Sequence, residues 1–107
     1  MDHQATLDAL KALGQEHRLH AFRALVQAGP GGLSVGELRT IVDVPPATLT
    51  AHLNVLRAAG LVDDEREGRV IRVRANYLRM NALLAYLTEN CCAGDASTCG
   101  PSPSSCR

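Results

Sequence analysis

Residues 45–62, PPATLTAHLNVLRAAGLV, decide how the rest of the chain is read. Leu49, Leu53 and Leu56 recur at i, i+4 and i+7, which makes one apolar stripe on a helix that Pro46 can open and Gly60 can close. The opposite side carries Ala47, Ala51, Asn54 and Ala58, with Thr48 and Thr50 on its shoulders, and is nearly free of acid. A face so small and polar can approach a DNA major groove closely. Threonine hydroxyls and the Asn54 amide suit base edges or phosphates, and alanine methyls tolerate a thymine methyl. The plain alternative is an amphipathic core helix, since three leucines at helical spacing are common.

Upstream, Leu7, Leu10 and Leu13 mark a short first helix that ends near Gly14. A second helix is expected over Glu16–Ala28, with Leu19, Phe22, Leu25 and Val26 inward and Arg18 and Arg23 outward. His17 and His20 on it lack an i+4 imidazole partner, so they read as surface or cap residues rather than metal ligands. Gly29, Pro30, Gly31 and Gly32 form a break that no helix crosses. Ser34 with Glu37 three residues on spells a capping box, opening a third helix whose Val35, Leu38, Ile41 and Val42 point inward. Asp43 to Pro46 is then a tight link, and the third and fourth helices make a helix-turn-helix.

Downstream, Leu61–Glu65 and Arg69–Arg74 read as two strands joined by a turn at Glu67 and Gly68. Such a hairpin can lie along the phosphate backbone as a wing carrying Arg66, Arg69 and Arg72; the alternative is a solvated charged hairpin. A last helix is expected from about Tyr77 to Asn90, with Met80, Leu83, Leu84 and Leu87 on one face. Only the first helix can cover that stripe within the chain, so pairing with a second copy is the economical answer. The fold class is therefore mainly α with a β-hairpin wing, a winged helix-turn-helix in the order α-α-α-α-β-β-α, acting as a homodimer.

Composition sets the bounds. A chain of 107 residues with 46% hydrophobic content supports one small core. Lys+Arg and Asp+Glu balance at 11 each, so net charge gives no argument for nucleic acid. Distribution says more: Arg57, Arg66, Arg69, Arg72, Arg74 and Arg79 crowd one stretch, interrupted by Asp63, Asp64 and Glu65. No apolar run reaches membrane-spanning length and the N-terminus lacks a signal-peptide layout, so a cytoplasmic protein without a membrane partner is expected. Its four cysteines, all within the last seventeen residues, then read as reduced thiols that bind metal or sense redox state. The expected division is a DNA-binding and dimerisation domain over residues 1–90 and a flexible, cysteine-containing tail over 91–107.

The runs LKALGQEHRLHAFRALVQAG, GLSVGELR and PPATLTAHLNVLRAAGLVDDEREGRVIRVR resemble the winged-helix repressors of the ArsR/SmtB family over roughly residues 5–90. The TLTAHLNVLRAAGLV block followed by the Arg-Glu-Gly-Arg wing is the most specific part. The resemblance implies a homodimer paired through its first and last helices, bound to a palindromic operator in double-stranded DNA and released by a metal or metalloid ion. In that pattern Thr48, Thr50, Ala51 and His52 occupy groove-facing positions and Arg69 sits in the wing. His52 has a second reading, as a residue hydrogen-bonded on the buried side of its helix. The chain also departs from the pattern. Where many arsenic and cadmium sensors place a cysteine pair in the third helix, it has Ser34 and Gly36. Where zinc and nickel sensors place Asp and His pairs on the last helix, residues 77–90 hold no histidine and only Glu89 as a carboxylate.

The tail, YLTENCCAGDASTCGPSPSSCR, supplies other ligands. Adjacent Cys91 and Cys92 seldom form a relaxed disulfide with each other, yet both sulfurs can reach one large soft ion, and Cys99 follows seven residues later. Trivalent arsenic prefers three thiolates in a pyramid, so Cys91, Cys92 and Cys99 match its valence. Some arsenite-responsive members of the family resemble this layout. Arsenite is thus the expected inducer, with antimonite an alternative; Cys106 is a spare thiol or a fourth ligand. Competing readings are a tetrahedral zinc or cadmium site, a redox switch closing Cys92 on Cys99, and an inert tail. A thiol-dependent reductase is a further class, but no nucleophile-plus-base constellation supports an enzyme. A helix-turn-helix used only for protein contact is the third, separable by salt-dependent DNA affinity.

Overall fold

The structure, a computed structural model, describes residues 1–94. Its elements are α1 (His3–Leu13), α2 (Glu16–Ala28), β1 (Leu33–Ser34), α3 (Val35–Ile41), α4 (Pro46–Ala58), β2 (Val62–Glu67), β3 (Val70–Ala75), α5 (Tyr77–Leu87) and a 3-10 turn (Cys91–Gly94). The helices start where local chemistry tells them to. The Asp2 carboxylate accepts the Ala5 N–H to open α1, and Gln15 accepts the Arg18 N–H to open α2. At Ser34 both halves of the capping box form. The Ser34 N–H and then its hydroxyl, with Arg72 beyond, hold the Glu37 carboxyl below its ordinary value.

The α4 stripe is the centre of the core. Leu49, Leu53 and Leu56 are buried together with Phe22 and Leu25 of α2, Leu38 of α3, Leu61 of the turn before β2 and Val73 of β3. Each fully buried leucine contributes about 1.5–3 kcal/mol. From α1 the core takes Thr6, Ala9 and Ala12, while Leu7 and Leu10 are 37% and 41% exposed. Small inward residues let α1 lie close against α2 and α4, and they leave its leucines outside.

A third strand, absent from the sequence reading, completes the sheet. β1 pairs antiparallel with β3 through Leu33↔Val73 and Ser34↔Arg72, giving the order β1-β3-β2. Two residues carry no periodicity, so β1 becomes visible only beside β3. Gly32 permits the approach: its φ is +67°, and a Cβ there would run into the Val73 carbonyl. β2 and β3 pair from Val62↔Ala75 to Glu67↔Val70, which moves the hairpin turn to Gly68 and Arg69.

Three further expectations are corrected. Leu19 and Ile41 do not point inward; they are 44% and 39% exposed along an open groove of about 640 Å³ beside α2, lined also by His20, Arg23 and Leu33. Arg18 is half-buried, with its Nε donating to the Ala12 carbonyl at 2.7 Å. The last helix stops at Leu87, short of Asn90, where the Thr88 N–H and hydroxyl both turn back to the Leu84 carbonyl. Cys91 and Cys92 therefore lie in a turn of their own, off the helix.

Leu53→Ala is expected to lower unfolding stability by about 2–5 kcal/mol, and Ser34→Ala by about 0.5–2 kcal/mol. Urea titration followed by circular dichroism checks both. A Ser34→Ala loss as large as the Leu53→Ala loss would show that the cap does more than hold α3.

Candidate functional site

With its leucines buried, α4 turns Ala47, Thr48, Thr50, Ala51, Asn54 and Ala58 outward, and all six are exposed, as is Pro46 at the helix start. The Thr50 hydroxyl donates to the Pro46 carbonyl at 3.1 Å, which leaves its oxygen as an acceptor. Asn54 is oriented by a short chain of contacts: its Oδ1 accepts from Arg57 Nη1 at 2.9 Å, while Arg57 Nε meets Asp64 at 3.0 Å. The Asn54 amide NH₂ is left as a donor beside the alanines.

That chain also disposes of part of the acidic run. Arg57 neutralises Asp64 and Arg74 pairs with Glu65, so two of the four acids between α4 and the wing tip are covered by cations, while Asp63 and Glu67 are exposed. Arg66 and Arg69 are exposed on the hairpin, and among the described residues neither has an ion pair. Arg72, expected beside them on phosphates, is used elsewhere. Its Nε and Nη2 donate to the Gly31 and Gly32 carbonyls at 2.9 and 3.1 Å, and it lies 3.6 Å from Glu37. This guanidinium fastens the glycine turn to β3. Exposed Arg39, in the last turn of α3, is a cation the sequence reading passed over; only its place in a capped helix signalled it.

His52 does not share the outer face. It is half-buried on the flank of the leucine stripe, with its Nδ1 3.4 Å from Arg18 Nη1 and its ring 5.8 Å from that of His17. Burial, and after it Arg18 and His17, push the His52 pKa below its ordinary value.

The second candidate region is the turn after α5. Cys91 is exposed and its N–H donates to the Thr88 carbonyl at 3.0 Å; Cys92 is half-buried. Asn90, Cys92 and Ala93 take φ of 57°, 59° and 50°. Nearby, His3 Nδ1 lies 3.0 Å from the Tyr86 hydroxyl and ties the start of α1 to the last turn of α5. Cys99 and Cys106 lie outside the described residues. Among the described residues, no group of three His, Cys, Asp or Glu is placed to hold a metal ion, and no helix is long and apolar enough to cross a membrane.

Comparison with known proteins agrees with this geometry. The family profile described as a helix-turn-helix domain matches residues 13–65. The biofilm growth-associated repressor of Agrobacterium fabrum is 38% identical over 84 residues, 78% of this chain and 69% of that protein. An ArsR-like transcriptional regulator from Rhodococcus sp. RHA1 superposes with a TM-score of 0.69 at 30% identity, over 78% of this chain and 76% of its own. The chain belongs to the ArsR family of winged-helix transcriptional regulators. As an ArsR-family protein it is a DNA-binding regulator and not an enzyme, so the reductase reading is set aside. The cadmium resistance regulatory protein CadC of Listeria innocua is 36% identical over 61 residues, but the chain spans only half its length.

The His52 environment gives a pH signature. An unfolded chain protonates His52 near pH 6.5, whereas the folded chain resists until a lower pH. As pH falls through that window the unfolded state binds more protons, so stability declines, and it levels off below the folded value. His52→Gln should flatten this part of the curve. Urea midpoints between pH 7.5 and 5 test it, and an unchanged slope in the variant would remove His52 from the account.

Proposed function

We propose that this ArsR-family regulator is a homodimeric repressor that leaves its operator when trivalent arsenic or antimony is held by the thiolates of Cys91, Cys92 and Cys99. The observation that carries the reading is the adjacent pair Cys91 and Cys92 in a turn directly after α5, with Cys99 seven residues on. The described residues hold only two of the three donors, so the reading depends on Cys99 joining them. Three thiolates complete the coordination of a trivalent, lone-pair-bearing ion, and no histidine or carboxylate is required. Ser34 and Gly36 offer no soft ligand at the start of α3.

Dimerisation through α1 and α5 is supported by the leucines left outside the core: Leu7 and Leu10 on one helix, Leu84 and Leu87 on the other, the last two 49% and 55% exposed. In the proposed complex the two α4 helices enter successive major grooves, presenting Pro46, Thr48, Thr50, Ala51 and Asn54. Arg66 and Arg69 meet phosphates. His52 and Arg72 act from behind, seating α4 and the glycine turn. Residues 1–90 then form the binding and pairing unit and residues 91–107 the sensing tail. Linkage demands that the ion bind the DNA-free form more tightly, and that DNA weaken ion binding by the same factor.

A divalent soft metal is the second reading, favoured by the likeness to the CadC cadmium regulator. Fluorescence anisotropy on the chain's own upstream DNA, titrated under reducing conditions with arsenite and then with cadmium and zinc, separates the two. Arsenite should release the DNA, and Cys91→Ser and Cys92→Ser should bind DNA without responding. Release by cadmium or zinc alone replaces the inducer while keeping the regulator; a Cys92→Ser protein still released by arsenite sinks the thiolate site.

The arginines give a separate test. Arg69→Ala is expected to weaken binding on every sequence alike and to reduce the slope of log affinity against log salt by about 1. Arg72→Ala should leave that slope unchanged and lower the urea midpoint. The reverse pattern would exchange their roles.

A further inference from the structure

α5 carries the cysteine turn at one end and a joint with α4 at the other. At the joint, the Leu61 N–H donates to the Leu56 carbonyl at 3.0 Å and the Gly60 N–H to the Arg57 carbonyl at 2.9 Å, closing α4. The Asn76 N–H donates to the Leu61 carbonyl at 2.8 Å, and the Asn76 side chain accepts the Arg79 N–H at 3.0 Å, opening α5. The end of one helix is thus bonded to the start of the other.

Arg79 completes this contact. Gly60 has φ +76°, and a Cβ built on it would lie 2.7 Å from Arg79 Nε and 2.8 Å from Nη2. The half-buried guanidinium therefore fills the space in which any other residue would have its side chain. Among the described residues Arg79 makes no ion pair, and Gly60 follows the C-terminal end of α4, remote from Pro46 and the outward threonines.

We propose that Arg79, seated across Gly60, is the positioning residue through which movement of α5 is passed to α4. The inference rests on the thiolate-sensing reading above and names how that site regulates DNA binding. α5 spans eleven residues, about 16 Å at 1.5 Å per residue. A rigid helix pulled at its cysteine end pivots at its start, and the pivot is bonded to the turn that closes α4. With the guanidinium packed across Gly60 the joint is held and the two helices turn together. Without it, Gly60 is the most permissive residue type in a left-handed conformation, and the joint becomes a hinge that absorbs the pivot.

The test is the coupling ratio, the DNA dissociation constant with saturating arsenite divided by that without it. It is measured by anisotropy for the full chain and for Arg79→Ala, Gly60→Ala and the double variant. Arsenite affinity of the DNA-free proteins, read from thiolate-arsenic absorbance, is measured alongside. For Arg79→Ala, arsenite affinity and metalloid-free DNA affinity should stay within about twofold of the parent while the coupling ratio falls about fivefold or more, within the usual range of allosteric coupling. Gly60→Ala, which displaces the guanidinium, should lower the ratio too, and the double variant should match Arg79→Ala rather than multiply the two losses. A merely structural Arg79 would change the urea midpoint and leave the ratio intact, which overturns the proposal, as do multiplied losses. If the parent protein is released and Arg79→Ala is released equally, only this inference falls. If arsenite does not release the parent protein, the sensing reading falls and takes the inference with it.

Discussion

Burial of Leu49, Leu53 and Leu56 is the constraint from which the rest of the molecule follows. A helix turns about 100° per residue, so once three leucines are committed to the core no freedom remains in which face looks out. Thr48, Ala51 and Asn54 are outward because the leucines are inward. The other elements can be seen as supports for that stripe. α2 offers Phe22 and Leu25 beneath it, α3 offers Leu38, and α1 closes the back with Ala9 and Ala12. Rotating α4 by one residue would cost several kcal/mol in exposed leucine alone, enough to keep a DNA-reading face in a single orientation without any contact from the ligand.

The same economy explains how a chain of zero net charge can meet a polyanion. Total charge is the wrong measure when cations are used in different ways. Arg57 and Arg74 neutralise Asp64 and Glu65, Arg72 fastens the Gly31–Gly32 turn to β3, and Arg18 joins α1 to α2 and reaches toward His52. Internal pairing covers Asp64 and Glu65, so Asp63 and Glu67 are the acids on the hairpin that Arg66, Arg69 and the exposed helix start still have to outweigh. Steering by a few local cations of this kind is screened within about 10 Å at moderate salt. Arginines near a wing are therefore not interchangeable, and their partners within the fold decide which of them are available to phosphate.

What sequence discloses here is local, and what it misses is long-range. The Ser34–Glu37 capping box, the limits of α2 and the α4 stripe each depend on residues within one or two turns, and all three are present as read. β1 depends on β3 some forty residues away, and a two-residue strand has no pattern to recognise. Leu19, Ile41, Leu7 and Leu10 have helical spacing that marks an apolar face but cannot say what covers it. For the outward leucines of α1 nothing among the described residues supplies a cover. The site divides similarly. The outer face of α4 was legible because it is the complement of its stripe; the inward turn of His52 and the diversion of Arg72 depended on Arg18 and on two glycine carbonyls. The cysteine pair, expected at the end of a helix reaching Asn90, lies beyond it, because α5 ends at Leu87 and Asn90 has already turned to a left-handed φ.

That early ending bears on the thiolate site proposed above. Cysteines on the last turn of α5 would be held by the helix ladder, and binding an ion would shift them little. Cys91 and Cys92 instead occupy a turn in which Asn90, Cys92 and Ala93 all have left-handed φ, a conformation that costs about 1–3 kcal/mol per residue when no glycine is present. A segment so close to its alternatives in energy can be rearranged by the formation of two or three sulfur bonds, whereas a mid-helix segment could not. In the proposed mechanism, rearrangement there would be passed to α1 through the His3–Tyr86 contact and to α4 along α5. A soft turn at one end of a rigid helix and a tight joint at the other is a sound arrangement for a sensor. In the proposed sensor, ligand binding needs the first to yield, and transmission to α4 needs the second to hold.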